Sequence, residues 1–178
     1  MFNKILYSLI TIITFSYSDL SAQSVNQLDT KYGFKSFKLG TAPNKLNSNK
    51  IDSWDKNSNI TKYKYSANDM DELFTVSVNR VIPTYYKNKL MSILIDFNDT
   101  FSESDYDIVL YSLKNLFGSG NNCVIDNSDY TNYIGRKWVG KKVEMDFFRL
   151  YTNENNKWGG YISITEKALQ KQRINNEF

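Results

Sequence analysis

Alternating apolar and polar residues predict β-strands along much of the chain after residue 60. Ile60–Tyr65 alternates, and its two tyrosines share one face. Leu73–Ile82 is rich in β-formers, and Pro83 is expected to end it because proline donates no ladder hydrogen bond. Leu90–Phe97 alternates as well, so these last two runs are predicted to pair as a hairpin through residues 85–89. One face of Leu90–Phe97 then carries Met91, Ile93, Ile95 and Phe97.

Apolar side chains at three- and four-residue spacing predict one main helix over residues 103–117. Ser102 or Ser104 can cap its first turn, since a hydroxyl accepts an otherwise unpaired backbone N–H. Gly118 supplies a left-handed stop. The helix should therefore present one apolar stripe to a sheet. That stripe consists of Tyr106, Val109, Leu110, Leu113, Leu116 and Phe117.

Strand patterns return near the C-terminus, after a variable loop that follows the helix. Lys142–Tyr151 and Trp158–Thr165 are predicted to form a second hairpin, because the residues between them are turn formers. No internal repeat is visible in the sequence. The remaining segments are expected to be a flexible lead-in at 23–33, a loop with one short helix at 41–59 in which Trp54 packs on the core, and a short helix or frayed tail at 166–178.

The order of strands, helix and strands predicts the α+β class. We expect an antiparallel sheet of about 4–6 strands with the one main helix, at about 103–117, packed on one face. The apolar stripe should hold the helix to the sheet, at roughly 1.5–3 kcal/mol for each fully buried large side chain.

The first 22 residues have the pattern of an export signal. Lys4 gives a positive start, and Ile5–Phe15 carries no charge. Ala22 is a small residue before a plausible cleavage point, and Ser16–Ser18 offers a rival one. The apolar stretch is shorter than the ~20 residues that span a bilayer. We therefore expect a signal peptide at 1–22 and a single domain with flexible ends at 23–178, which acts in the periplasm or outside the cell.

The charge balance argues against a nucleic-acid partner. The net charge is +3, and no run of Lys and Arg is long enough to follow a phosphate backbone. No second apolar run reaches spanning length, so no transmembrane span is expected in the mature chain. Export also separates the domain from ATP and nicotinamide cofactors, and no cofactor is expected. The sequence leaves the oligomeric state open.

The absence of histidine restricts the chemistry most. Without His, the usual Ser-His-Asp and Cys-His catalysis and His-ligated zinc are excluded. Cys123 is the single cysteine, so no internal disulfide can form. It is either a reactive thiol or a small, part-buried residue at a strand start. The second interpretation is favoured, because no nearby His or Arg would lower the pKa of the thiol.

Two acidic patterns offer candidate chemistry. Glu144 and Asp146 are two apart on a predicted strand and share a face. Such a pair could perform glycoside hydrolysis, or it could be the solvent face opposite an apolar one. The Asp69–Glu72 cluster supplies oxygens but lacks the spacing of a calcium loop, so no metal site is expected. No residue is assigned a catalytic role.

The high aromatic content offers a binding surface. The chain holds 13 Tyr, 3 Trp and 11 Phe, and tyrosine combines a large rigid area with a polar group. Many of these rings must fill the core, because other large apolar residues are few. The groups Tyr63/Tyr65 and Tyr85/Tyr86 are the best candidates for an exposed binding patch.

Two sequence elements resemble those of small uncharacterised secreted bacterial proteins. Tyr32–Gly40 resembles their GFKxFKLG opening, and Trp138–Val143 resembles a WxGxxV element that precedes a strand and its glycine-containing partner, Trp158–Ile164. The resemblance spans most of residues 30–165 and implies no assigned activity. More distantly, the chain is similar to the periplasmic domains of outer-membrane assembly lipoproteins and to β-lactamase-inhibitor-like folds. Those are binding modules, and this chain lacks the lipid-carrying cysteine of the lipoproteins.

Together these features favour an exported, non-catalytic binding or interaction domain with a protein or glycan partner of the cell envelope. The alternative is a secreted hydrolase that acts on glycan or cell-wall polymer through carboxylates, either Glu144 and Asp146 or the Asp69–Glu72 group. A third interpretation is a structural envelope domain with no small ligand.

Overall fold

The computed structural model describes residues 26–43, 48–52, 59–65, 67–97, 100–123, 130–152 and 157–177. The predicted signal peptide, Trp54 and the turn at 153–156 lie outside these residues. The helices are α1 (26–31), α2 (Glu103–Phe117) and α3 (Lys167–Glu177). The strands are β1 (Gly33–Phe34), β2 (Phe37–Lys38), β3 (Ser48–Asp52), β4 (Ile60–Tyr65), β5 (Glu72–Leu73), β6 (Val76–Tyr86), β7 (Lys89–Phe97), β8 (Asn121–Cys123), β9 (Tyr130–Val139), β10 (Val143–Thr152) and β11 (Lys157–Glu166).

One large antiparallel sheet organises the described part of the chain, which confirms the α+β class. Eight strands follow the order β3-β4-β6-β7-β11-β10-β9-β8, and β5 pairs with β6 beside this path. The sheet is therefore wider than the 4–6 strands that the sequence predicts. None of the helices among the described residues is long and apolar enough to cross a membrane.

The sheet consists of two halves with the same strand order. From edge to centre, the first half runs β3, β4, β6, β7 and the second runs β8, β9, β10, β11. The halves meet where β7 and β11 pair antiparallel, with Ile93 opposite Ile164 and Ile95 opposite Ile162. Helix α1 precedes the first half and α2 precedes the second. A repeat thus exists in the topology, although the sequence shows none.

The main core lies between one face of the sheet and the elements α1, α2 and the β1–β2 hairpin. The stripe of α2 enters it as predicted, although Leu110 and Leu116 are only partly buried at its edge. Tyr106 stacks on Phe147 of the sheet, with ring centroids 4.9 Å apart. The fully buried members include Leu28, Ile93, Ile95, Val109, Leu113, Phe117, Val143, Met145, Phe147, Ile162 and Ile164.

Helix α2 begins and ends where the sequence predicts. Ser102 is the N-cap: its hydroxyl accepts from the N–H of Asp105, and the Asp105 carboxylate accepts from the N–H of Ser102. This reciprocal pair is a capping box. Gly118 ends the helix with φ of 82°, a conformation that favours glycine.

Helix α3 lies on the opposite face, so α2 is not the one main helix. Leu169 of α3 is buried with Ile60, Tyr86 and Met91 in a second cluster. Asn176 at the other end of α3 donates to the Tyr86 hydroxyl at 2.9 Å. Of the two predicted alternatives for residues 166–178, the helix is the one observed. The sheet consequently has helices on both faces.

Several predicted strand limits are wrong. The predicted run at 73–82 contains a turn at Phe74 and Thr75, where both φ angles are positive. Strand β6 then continues through Pro83, because its ladder with β4 stops at Thr84 and no donor is needed on that side. The predicted loop regions contain β3, β8 and β9. The predicted lead-in at 23–33 holds α1, whose Leu28 is fully buried.

The β6–β7 hairpin is tighter than predicted. Its turn consists of Lys87 and Asn88, both with positive φ, as a two-residue turn requires. A register shift between Thr84 and Tyr85 then sends Met91 to the opposite face, away from the expected apolar row. Met91 therefore belongs to the second cluster, while its neighbour Leu90 belongs to the main core.

The WxGxxV element joins α1 to the β9–β10 turn. The Asp29 carboxylate accepts hydrogen bonds from the backbone N–H groups of Lys141, Lys142 and Val143, at 2.6 to 2.9 Å. Burial raises the pKa of Asp29, but these three donors outweigh it and the net pKa is lowered. A side chain at Gly140 would overlap Asp29. The element is thus a structural clamp.

Candidate functional site

The face of the sheet opposite α2 is partly open, and it forms the candidate site. We call it the open face and define it by the side chains that the register places on it beyond α3. They are half-buried for the most part, whereas Leu150, which the register places on the same face beyond Phe148, is only 3% exposed. The open face comprises Arg80, Leu94, Asp96, Cys123, Lys137, Val139, Glu144, Asp146, Phe148, Tyr161, Ser163 and Thr165.

An aromatic pair occupies the middle of the open face. Phe148 on β10 lies directly opposite Tyr161 on β11, and the ring centroids are 5.7 Å apart. Two glycines leave room for these rings, because Gly135 lies opposite Phe148 and Gly159 lies under the ring of Tyr161. The rings are half-buried, so each keeps part of its surface for contact with a partner.

A charged triad borders this pair on one side. Lys137 donates to Glu144 at 2.8 Å and lies 3.4 Å from Asp146. The hydrogen bond to Glu144 raises the pKa of Lys137, so the ammonium is the favoured form. Burial raises the pKa of Asp146, although Lys137 opposes that rise. The predicted common face of Glu144 and Asp146 is confirmed, and a single cation holds both carboxylates.

A second ion pair borders the aromatic rings on the other side. Arg80 donates from Nε to the Asp96 carboxylate at 2.6 Å. Asp96 lies opposite Tyr161 in the register, so this pair continues the same row across the sheet. The Asp96 side chain is 6% exposed, whereas that of Arg80 is 51% exposed. Arg80 is therefore the part of this pair that a partner can reach.

Cys123 lies at the edge of the open face, opposite Gly135. It is part-buried, as the favoured interpretation predicts, but it ends β8 instead of starting a strand. Burial raises the pKa of its thiol, and the nearby Asp146 raises it further. The thiol is thus not activated as a nucleophile, because the thiolate is the reactive form.

The four tyrosines predicted as a binding surface do not form one exposed patch. Tyr85 and Tyr86 are only 1% and 3% exposed, since the short turn after them places both within the sheet. Burial raises the pKa of Tyr85 to about 12. Tyr63 and Tyr65 are half-buried on the α2 side, where Tyr63 contacts Tyr85 and Tyr65 contacts Phe37.

The Asp69–Glu72 cluster is bound to the β1–β2 hairpin. Lys35 donates to the backbone carbonyls of Asp69 and Glu72, at 2.8 and 3.1 Å. The Asp69 carboxylate accepts from the hydroxyls of Ser36 and Tyr65. Backbone oxygens of this cluster thus bind the Lys35 ammonium, and the Asp69 carboxylate binds two hydroxyls. No group of potential metal ligands was found among the described residues.

Sequence reasoning missed the residues that define the open face. Phe148, Tyr161, Lys137 and Arg80 carry no motif, and they share a face only through the register of five strands, β6, β7, β11, β10 and β9. The alternation in β10 placed Glu144 and Asp146 on one face, and the same alternation extends to Phe148. Strand β9, which brings Lys137 to these carboxylates, was predicted as a loop. The sequence therefore contained no indication that Lys137 pairs with them.

Comparisons of the chain with protein-family models, with curated proteins and with solved structures found no match. The resemblances drawn from the two sequence elements therefore stay predictions. The function must be argued from the site itself.

Proposed function

We propose that the protein is an exported, non-catalytic binding domain that engages a protein partner of the cell envelope through its open face. The single observation that carries the proposal is the half-buried pair Phe148–Tyr161 between two sets of ion-paired charges. Aromatic residues and arginine are enriched where proteins meet, and the charged rim fixes orientation. Uncovered sheet faces without such aromatic pairs need no partner, because one face of an antiparallel sheet can be solvated.

The composition of the open face favours a protein over a glycan. It presents Arg80 and Lys137 together with Glu144, so it offers both signs of charge close to apolar rings. A polypeptide surface can match all three features, whereas a neutral glycan carries no charge to complement Arg80, Lys137 and Glu144. Glycan binding through Phe148 and Tyr161 remains a distinct outcome of the test below.

The arrangement of the carboxylates supports binding over hydrolysis. A retaining or inverting glycosidase needs one carboxylic acid and one free carboxylate at the scissile bond. Here Lys137 engages both Glu144 and Asp146, and a resident ammonium competes with substrate for the same oxygens. A hydrolase would lose turnover in both Glu144→Gln and Asp146→Asn on a panel of envelope glycans. The binding proposal predicts no turnover by the parent protein on any of them.

The experiment is capture from native cell-envelope and culture fractions with the purified domain as bait. The test variant is Phe148→Ser combined with Tyr161→Ser. The matched control is Tyr111→Ser, which removes a tyrosine that is 69% exposed on α2. We expect one specific protein to be retained by the parent and the control and lost by the test variant. If all three baits retain the protein equally, the open face is not the binding surface. If the parent retains only polysaccharide, the partner is a glycan instead of a protein.

Export is a separate part of the proposal and rests on the first 22 residues alone. Mass spectrometry of the protein from its producing cells measures its N-terminus. We expect a mature chain that begins near Gln23 and is found in the periplasm or the medium. An intact N-terminus in the cytoplasmic fraction would overturn this part, while leaving the binding face to be tested on its own.

A further inference from the structure

Two arginines on the α2 side of the sheet have no acidic partner among the described residues. Arg136 on β9 lies opposite Phe147 on β10, and Arg149 lies two residues further along β10. The two side chains are therefore diagonal neighbours on one face. The ion pairs of the described chain involve Arg80 and Lys137 instead. Two positive charges are thus placed side by side, and neither forms an ion pair with a described residue.

Aromatic contacts fix the position of Arg149. Its guanidinium carbon lies 4.1 Å from the ring centroid of Trp158, and Tyr151 packs against the same indole at 5.4 Å. Stacking orients the plane of a guanidinium and leaves the donors at its edge for a planar acceptor. The Nε of Arg149 is buried and has no acceptor among the described residues. A buried donor without an acceptor is uncommon and needs an explanation.

A second buried donor without a described partner lies on the same side of the sheet as the two arginines. The Tyr106 hydroxyl is buried and has no hydrogen-bond partner among the described residues. Its ring stacks on Phe147, the residue that lies opposite Arg136. Burial raises the pKa of Tyr106, the positive charge of Arg136 lowers it and the Asp107 carboxylate raises it, so the phenol lies within the fields of both charges. Phe147 therefore lies between the Tyr106 ring and Arg136, with Arg149 two residues further along the same strand face.

We propose that Arg136, Arg149 and the Tyr106 hydroxyl form a binding site for a carboxylate-bearing ligand, with Trp158 as its wall. A carboxylate matches the guanidinium fork with two parallel hydrogen bonds, and it supplies acceptors that these donors lack. An acidic sugar and an acidic peptide side chain carry the same group, so the site recognises their shared carboxylate. The site lies on the α2 side, so it does not depend on the open face.

The test is an NMR titration of the isotope-labelled protein, followed at the Nε–H of Arg149 and the indole N–H of Trp158. The probes are glucuronate and N-acetylglutamate, with glucose and N-acetylglutamine as their neutral counterparts. We expect saturable shifts with the acids, at dissociation constants of about 1 mM, and none with the neutral compounds. Tighter binding of glucuronate identifies an acidic sugar as the source of the carboxylate, and tighter binding of N-acetylglutamate identifies a peptide.

Variants locate the site. Arg149→Gln and Arg136→Gln should each weaken binding by about tenfold or more, because each removes a charge-assisted hydrogen bond. The affinity of Arg149→Lys should lie between those of the parent and Arg149→Gln, since an ammonium keeps the charge but loses the two parallel donors of the guanidinium. Lys171→Gln, an equal charge change at an exposed position on α3, should bind as the parent does. Two arginine positions keep the test valid if one variant fails to fold. Absence of saturable shifts with both acids, or equal binding by Arg149→Gln and Lys171→Gln, would overturn the proposal.

Discussion

Phe148 and Tyr161 lie directly opposite each other on β10 and β11, with their ring centroids 5.7 Å apart on the open face of the sheet. Both rings rest beside glycines, Gly135 and Gly159, whose lack of a side chain gives them room. The charged groups that flank them are already paired within the protein. Under the proposed function, a partner would meet a surface whose charges are already ion-paired, which would lower the entropic cost of binding.

The triad on the open face predicts a pH-dependent loss of stability in Lys137→Met. The variant removes the cation that Glu144 and Asp146 share, and it should lower the free energy of unfolding by about 1 kcal/mol near neutral pH. A carboxyl whose folded pKa is raised favours the folded state below its unfolded pKa and loses that contribution as pH rises through the folded pKa. Burial already raises the pKa of Asp146, and removal of Lys137 should raise it further.

The deficit of Lys137→Met should therefore grow between about pH 4 and about pH 7, as measured by urea unfolding at each pH. The double variant Lys137→Met/Asp146→Asn serves as control, because it also removes the unpaired carboxylate. It should recover part of the lost stability near neutral pH. A deficit that is the same at both pH values would contradict this account of the triad.

The cap of α2 distinguishes two serines that the sequence leaves equivalent. Ser102 makes both bonds of the capping box, whereas Ser104 lies inside the first turn. We expect Ser102→Ala to lower the free energy of unfolding by about 1 kcal/mol. Ser104→Ala is the matched control and should change it by less than about 0.5 kcal/mol. Equal losses in the two variants, measured by thermal or urea unfolding, would show that Ser102 is not the cap.

The clamp between Asp29 and the β9–β10 turn predicts coupling between Asp29 and Gly140. Gly140→Ala should destabilise the fold, because its methyl group would overlap the Asp29 carboxylate. The same substitution should cost less in an Asp29→Ala background, where that overlap is gone. A double-mutant cycle measures the difference, and strictly additive losses would argue against the contact.

Asp29 should also make the fold sensitive to acid. Its three backbone donors lower its folded pKa, so its contribution is present above the unfolded value of 3.8 and is lost as pH falls through the folded pKa. Asp29→Asn should lower the free energy of unfolding by about 2 kcal/mol near neutral pH and by much less in acid. Acid titrations followed by circular dichroism compare the two proteins. Parallel acid-unfolding curves would contradict this role.

Features with local causes were predictable from the sequence. Helix α2 has its capping serine, its apolar stripe and its terminal Gly118 within one stretch of chain. The β10–β11 hairpin follows from two alternating runs, which also place Glu144 and Asp146 on one face. Strand β9 was missed because Gly135 and the charged residues after it, Arg136 and Lys137, weaken the signal of a strand.

Features that depend on distant partners were not predictable. The exposure of Tyr85 and Tyr86 depended on the turn type after them and on the cover that α3 provides. Strand β6 passes through Pro83 only because β4 stops pairing there. The open face itself combines six strands, β6 to β11, from both halves of the sheet. Its composition becomes visible only once the register of the whole sheet is known.

The central claim is that the open face contacts a partner. Site-specific photo-crosslinking in the producing cells tests it without knowledge of that partner. A photo-reactive p-benzoylphenylalanine replaces Tyr161 on the open face or, as the control, Tyr111 on the exposed side of α2. We predict a discrete crosslinked protein from position 161 and none from position 111. Crosslinks of equal yield from both positions, or from position 111 alone, would contradict the account.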